Sequence, residues 1–346
     1  MKSRIGQILL IGVPGPELTD AIRRSIERIQ PGGFILFHRN LASPEQVFNL
    51  IKELREICGE DTIFTLDQEG GRVSRLKMIG EEPPSASDLQ KAGKIEWCRE
   101  HGILTGKVMR ALGFNLNLAP VVDFAPQDDA DNSLRGRCYG KTPEEAIRNA
   151  NAFLEGMQSE GVLGTAKHFP GYTFCEKDPH GDLPLITRTQ EQMRDEELKA
   201  FRFFADKADA MMIGHGHFTA WHKESVPASL SPVIIQKLLR EEIGFNELIM
   251  TDDIEMGAIA NQYNSAETTR LAIEAGNDMV LICHNPACVE LAFDALNAMP
   301  AKKLEKPLRS IANFKKKLPA PSLTFVFSHW QTINDQISEF KNRVRR

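Results

Sequence analysis

The stretch ELIMTD at 247–252 is an apolar run too short to be a helix of its own, and it ends on a carboxylate, Asp252. It follows a helix-length amphipathic segment, 231–243, opened by Ser231 and Pro232, a helix start signal. The same alternation recurs along the chain. Further short apolar runs lie at 6–13 (GQILLIGV), 32–37 (GGFILF), 62–67 (TIFTLD), 114–119 (FNLNLA), 161–167 (GVLGTAK), 208–214 (ADAMMIG) and 278–283 (DMVLIC). Helical periodicity fills the gaps, as in 43–58, where Val47, Leu50, Ile51 and Leu54 share a face. Eight βα units predict an α/β fold, a TIM-type (β/α)8 barrel with its chemistry just past the strand C-termini; a doubly wound open sheet is the alternative.

Two connections, 123–140 and 169–184, are longer than packing requires, which marks them as functional loops. No repeat, low-complexity tract or interdomain linker interrupts the chain, and residues from about 319 onward read as an appended helix. Residues 1–346 are therefore expected to form one barrel with a C-terminal extension at about 319–346.

Composition narrows the function classes. The net charge of −5 comes from interspersed charges, and the only basic cluster, Lys315 to Lys317 and then Lys341 to Arg346, lies near the C-terminus, which argues against a nucleic-acid-binding face. The six cysteines show no CxxC pair or zinc-site spacing and read as free thiols of a reducing compartment. The run at 7–13 is short and is broken by Pro14-Gly15-Pro16, so it reads as a strand rather than a signal peptide, and no stretch is long enough to span a membrane. A cytoplasmic protein is expected.

A charge at the edge of an apolar strand must be paired or used. Asp67 ends the third run, Lys167 and His168 end the fifth, His215 follows the sixth, and Asp252 and Asp253 end the seventh. All fall on one rim of the barrel. Carboxylates, a lysine, histidines and arginines gathered in a concave site suit polyol recognition and acid/base work at a glycosidic bond, and other reactions as well.

Several longer motifs occur in one order: GGFILF at 32–37, DQEGGRV at 67–73, NLAPVVD at 117–123, GRCYG at 136–140, KHFPG at 167–171, DPHGDLP at 178–184 and TDDIEM at 251–256. With them the sequence resembles bacterial glycoside hydrolase family 3, in its single-domain NagZ-type β-N-acetylglucosaminidase branch, from about Gly6 to Cys283. The resemblance implies a retaining exo-β-N-acetylglucosaminidase, a β-N-acetylhexosaminidase acting on terminal β-linked N-acetylglucosamine, as in muropeptides from peptidoglycan recycling. It implies Asp252 as nucleophile, with His180 oriented by Asp178 as the acid/base, since imidazole titrates near neutrality and a carboxylate holds its tautomer. Asp67, Arg75, Arg137, Lys167 and His168 are implied sugar ligands, and His215 is a further rim candidate. A monomer without metal or cofactor is expected. Asp253 reads as structural, because adjacent like charges force one carboxylate to turn away.

The sequence departs from the family pattern in two places. Tyr172 and Thr173 stand where many relatives have His-Gly, and Pro179 replaces the serine between the catalytic Asp and His. Proline fixes its own φ and restricts Asp178 before it, which predicts a stiffer loop. Rival readings are a barrel metallohydrolase, suggested by His215-Gly216-His217 and separable by chelator sensitivity; a phosphorylase or a glycosidase of other sugar specificity, separable by phosphate dependence and substrate panel; and a sugar-binding protein without activity.

Overall fold

Each apolar run supplies a strand that is buried on both faces, because one face fills the barrel and the other meets the surrounding helices. The computed structural model describes residues 4–127, 133–175 and 182–346. The barrel strands are β1 (Leu9–Gly12), β2 (Gly33–Ile35), β3 (Ile63–Leu66), β4 (Leu116–Asn117), β5 (Leu163–Phe169), β6 (Ala210–Ile213), β7 (Leu248–Asp253) and β8 (Met279–Ile282). They close in the order β1-β8-β7-β6-β5-β4-β3-β2. Every pairing is parallel. The closed barrel is the expected fold, and the open sheet is excluded.

After each strand the chain returns through a helix: α1 (Asp20–Ile29), α2 (Pro44–Cys58), α3 (Ile95–Leu112), α4 (Pro143–Ser159), α5 (Glu197–Phe204), α6 (Val233–Ile243), α7 (Ser265–Ala275) and α8 (Pro286–Ala298). Capping explains where several begin. Ser43 and Thr142 accept from Gln46 N and Glu145 N, each with proline in the first turn. Ser231 Oγ accepts from Ile234 N at 3.1 Å, and the helix it starts, α6, is a π-helix.

The run at 6–13 divides. Residues Arg4–Ile8 wind as a 3-10 turn and the ladder begins at Leu9, because the chain passes directly beneath the end of α1 at Gly6, where a Cβ would lie 1.7 Å from the Ile29 carbonyl oxygen. The run at 114–119 gives only a two-residue strand. Backbone bonds flank it, Asn115 N to Phe64 O and Leu118 N to Leu66 O at 3.1 Å each, and its alternate asparagines reinforce them: Asn115 bridges Phe64 N (2.8 Å) and Thr62 O (2.9 Å), and Asn117 bridges Gln68 N (3.1 Å) and Gln68 O (2.9 Å). On the outside, α3 and α4 meet backbone to backbone, since a Cβ on Gly102 would lie 2.0 Å from Phe153 O and one on Gly156 2.2 Å from Arg99 O.

The C-terminal stretch forms α9 (Ala301–Lys315) and α10 (Phe327–Val344). The second buries Trp330, Ile333, Ile337 and Phe340, and sets the Phe340 ring edge-on to Trp97 of α3 at 6.5 Å. No disulfide joins the six cysteines, and among the described residues no helix is long and apolar enough to cross a membrane.

Asn117 is fully buried and serves both backbone groups of Gln68, one residue past Asp67. Asn117→Ala should therefore destabilise the protein by about 2–4 kcal/mol in urea unfolding, the scale of buried polar groups left unpaired plus a small cavity. A loss below about 1 kcal/mol would show that β4 holds without these side-chain bridges.

Candidate active site

The charged strand ends converge at the C-terminal mouth of the barrel. Asp67 leaves β3 into a small hairpin, Gln68–Gly70 paired antiparallel with Val73–Ser74, which alternates Asp67 and Glu69 toward the same side. Gln68 points the other way and locks the hairpin, donating to Ser74 Oγ at 2.8 Å and accepting from Leu76 N at 3.1 Å.

Lys167 Nζ lies 2.7 Å from Asp67 Oδ1 and 2.7 Å from Glu69 Oε1. Arg75 reaches Asp67 Oδ2 at 3.2 Å, and Arg137 grips Glu69 through two 2.7 Å bonds in the fork geometry of guanidinium on carboxylate. Burial alone would raise both acids. Lys167, Arg75 and Arg137 outweigh it for Asp67, holding that carboxyl well below the usual range, and Arg137 and Lys167 bring Glu69 down to about 2. The Lys167 ammonium is desolvated, yet its two carboxylates hold its pKa above the ordinary lysine value.

His168 continues the chain of contacts. The Arg137 guanidinium, 3.3 Å from Nε2, has only donors to offer, so Nε2 accepts and the proton sits on Nδ1, facing Asp123 Oδ2 at 3.2 Å. Asp123 also accepts from His168 N at 3.1 Å and Tyr172 N at 2.7 Å, which ties the loop after β4 to the end of β5. The Tyr172 ring stacks on His168 at 5.1 Å, and its hydroxyl accepts from His215 N.

Asp252 stands on β7 across the pocket, with Oδ1 accepting from Asp253 N at 2.8 Å. The neighbouring Asp253 turns away, as two adjacent carboxylates require, and its Oδ1 accepts from Glu255 N (3.1 Å) and Cys283 N (3.3 Å). Burial pushes the Asp253 carboxyl up to about 7; the hydrogen bond from Glu255 N opposes this rise, and the charges of Glu255 and Asp252 add to it.

Asp67, Arg75, Arg137, Lys167, His168 and Asp252 thus line one cavity of about 280 Å³, together with Arg72, Tyr172, Met212 and Met256. That volume lies just under the roughly 300–1,000 Å³ typical of drug-sized ligands, which suits one pyranose ring better than a chain of them. His215 is not on its wall. The ring is fully buried, Nδ1 lies 2.8 Å from Ser229 Oγ and Nε2 2.9 Å from Asp253 O, and burial lowers its pKa. Both nitrogens are taken, so the expected rim residue is instead a brace for the end of β7. Asp178 and His180 lie outside the described residues.

Glu69 and Asp123 were not singled out by sequence reasoning, although both stand inside the quoted motifs. The i, i+2 spacing of Asp67 and Glu69 was the available clue for the first. For Asp123 there was none, because its partners come from another strand.

A closed barrel whose strand ends gather carboxylates, arginines and a lysine around one small polar cavity has an architecture suited to a glycosidase. Residues 1–314 match the N-terminal domain of glycosyl hydrolase family 3, and the chain belongs to that family. A β-hexosaminidase from Idiomarina loihiensis is 33% identical over 87% of this chain and 90% of its own. One from Pseudomonas aeruginosa is 33% identical over 86% and 90%. Among solved structures, a family 3 β-N-acetylglucosaminidase from Paenibacillus sp. superposes with a TM-score of 0.89 at 33% identity, covering 99% of this chain and 68% of that one.

Glu69 neutralises two buried cations, and Glu69→Gln should destabilise the protein by about 3–5 kcal/mol at neutral pH, as for other broken buried pairs. Because its folded pKa of about 2 lies below the unfolded value near 4.3, this contribution is complete above that unfolded value and is lost as pH falls toward 2. Urea midpoints of the two proteins should accordingly converge as pH falls from about 4.3 to about 2, and a constant gap would show that the charge of Glu69 is not what stabilises the fold.

Proposed function

We propose that this chain is a retaining exo-β-N-acetylglucosaminidase in which Asp252 is the nucleophile and the Asp178/His180 pair transfers the proton. The observation that carries this reading is the opening of Asp252 into a small polar cavity whose opposite wall is the Asp67, Lys167 and Arg137 network. The names of the hexosaminidase and N-acetylglucosaminidase relatives support the sugar preference.

Asp67, held ionised by Lys167 and Arg75, accepts from sugar hydroxyls, while Arg75, Arg137, Lys167 and His168 contact the ring from the same wall, facing Asp252. The Asp252 carboxylate attacks the anomeric carbon as the glycosidic C–O bond breaks, and the leaving oxygen takes a proton from His180. Water then cleaves the glycosyl ester, giving its proton back to His180 and restoring Asp252. The reading takes residues 1–346 as one catalytic barrel working as a monomer in the cytoplasm of a bacterium, on N-acetylglucosaminides released from peptidoglycan.

The test is nitrophenol release from 4-nitrophenyl N-acetyl-β-D-glucosaminide, with EDTA and with or without phosphate. Turnover unaffected by either addition is expected, and Asp252→Ala should reduce it by at least about 10⁴-fold while leaving the fold intact, as for loss of a covalent nucleophile. Near-normal turnover in that variant would remove Asp252 from the role. His180→Ala should slow glycosides with poor leaving groups by about 10²–10⁴-fold and activated aryl glycosides far less, since only the former need protonation. An equal loss on both would contradict a general acid.

A further inference from the structure

The side of β7 away from the pocket carries a second set of contacts that the mechanism above does not use. Asp253 Oδ2 lies 3.5 Å from Nε2 of His284, the second residue past the end of β8. The other ring nitrogen, Nδ1, lies 2.9 Å from a guanidinium nitrogen of Arg39, which follows β2. Arg39 is itself fixed by Val13 O at 2.9 Å and by the Cys283 carbonyl.

A guanidinium can only donate, so Nδ1 of His284 accepts and the proton of the neutral ring is on Nε2, turned toward Asp253. The ring also packs at a 40° tilt against Phe37, centroids 5.0 Å apart, and the residue is held by its backbone N–H, which donates to Glu255 Oε2 at 2.6 Å. A slight turn brings Nε2–H onto the carboxylate.

We propose that His284 is a positioning residue for the glycosidase reaction: with its tautomer set by Arg39, it donates to Asp253 and so holds a second negative charge directly behind Asp252. The proposal rests on the nucleophile reading of Asp252. A carboxylate there favours the positive charge that develops on the sugar as the glycosidic bond breaks. The groups facing Asp253 are Asp252 and Glu255 from its own segment, Cys283 and His284 from beyond the neighbouring β8, and Arg39 from beyond β2. Burial and the first two charges oppose ionisation of Asp253, and the N–H groups of Glu255 and Cys283 favour it; the proposal adds the imidazole to the second set. The His284 ring is half exposed and absent from the cavity wall, so replacing it leaves the sugar contacts untouched.

The experiment compares the unsubstituted enzyme with His284→Phe, which keeps a ring packed against Phe37 and loses the donor, and with His284→Gln, whose amide can restore an N–H. Substrate is an activated dinitrophenyl glycoside, so that protonation by His180 does not shape the profile. Phe is expected to lower kcat about tenfold near neutral pH, the worth of one hydrogen bond to a charge, with KM within about twofold. The Asp253 carboxyl, followed by carbon-detected NMR, should titrate at higher pH in that variant, and Gln should recover most of both effects. An Asp253 titration and a kcat profile that stay in place in an active His284→Phe enzyme would overturn the proposal, as would a loss confined to melting temperature. An unsubstituted enzyme that turns over no glycoside would overturn the functional reading instead, and the Asp253 titration would still report whether His284 is coupled to it.

Discussion

Lys167 is the charge on which the site depends. Its ammonium is almost completely removed from water, and such a group persists only with counter-charges at contact distance. Asp67 and Glu69 supply them, and each of those carboxylates then needs a further cation, which brings in Arg75 and Arg137 from separate loops. Arg137 passes the constraint on to His168, and His168 to Asp123. Loops after β3, β4 and β5 are thereby held in one arrangement by a connected run of charge-assisted bonds, beside the apolar cluster of Val121, Leu134, Cys138, Tyr172 and Cys175 that joins the last two.

Across the cavity the problem is the reverse, because two adjacent carboxylates end β7 with no cation between them. Strand alternation resolves it by sending Asp252 into the pocket and Asp253 to the backbone amides beyond the strand. His215, buried with both nitrogens in use, braces the Asp253 carbonyl and keeps that division in place. The pocket therefore has one wall of neutralised ion pairs and one wall with a single carboxylate, an asymmetry suited to holding a neutral sugar while developing positive charge on one side of it.

The barrel was legible because each strand is an apolar run bounded by turn residues, and every one of the eight expected runs contains a ladder strand. Detail was lost where close contacts cut the ladder short or side chains reinforce it. Nothing in GQILLIGV shows that Gly6 sits under the carbonyl of Ile29, and nothing in FNLNLA shows that its asparagines brace a two-residue strand against the end of β3. Among the site residues, those at strand ends, Asp67, Lys167 and Asp252, could be recognised because a charge ending an apolar run is conspicuous. Arg75 and Arg137 came only through motif resemblance, since loop arginines are ordinary in sequence. His215 followed the strand-end rule and yet serves packing, because position along a chain does not reveal whether a ring's nitrogens are already occupied.

The glycine contact between α3 and α4 has a consequence for how this chain can change over generations. With Gly102 against the carbonyl of Phe153 and Gly156 against that of Arg99, no side chain of any size fits in the joint, and the nearest substitutions would drive the helices apart. Those helices flank β4, whose following loop carries Arg137. The joint is thus closed to larger side chains, and so is most of the described loop above it, where Asp123, Leu134, Cys138 and Tyr139 are buried. Room for change beside the site is left at exposed positions of that loop such as Gln127 and Arg135, over a base that must stay nearly constant.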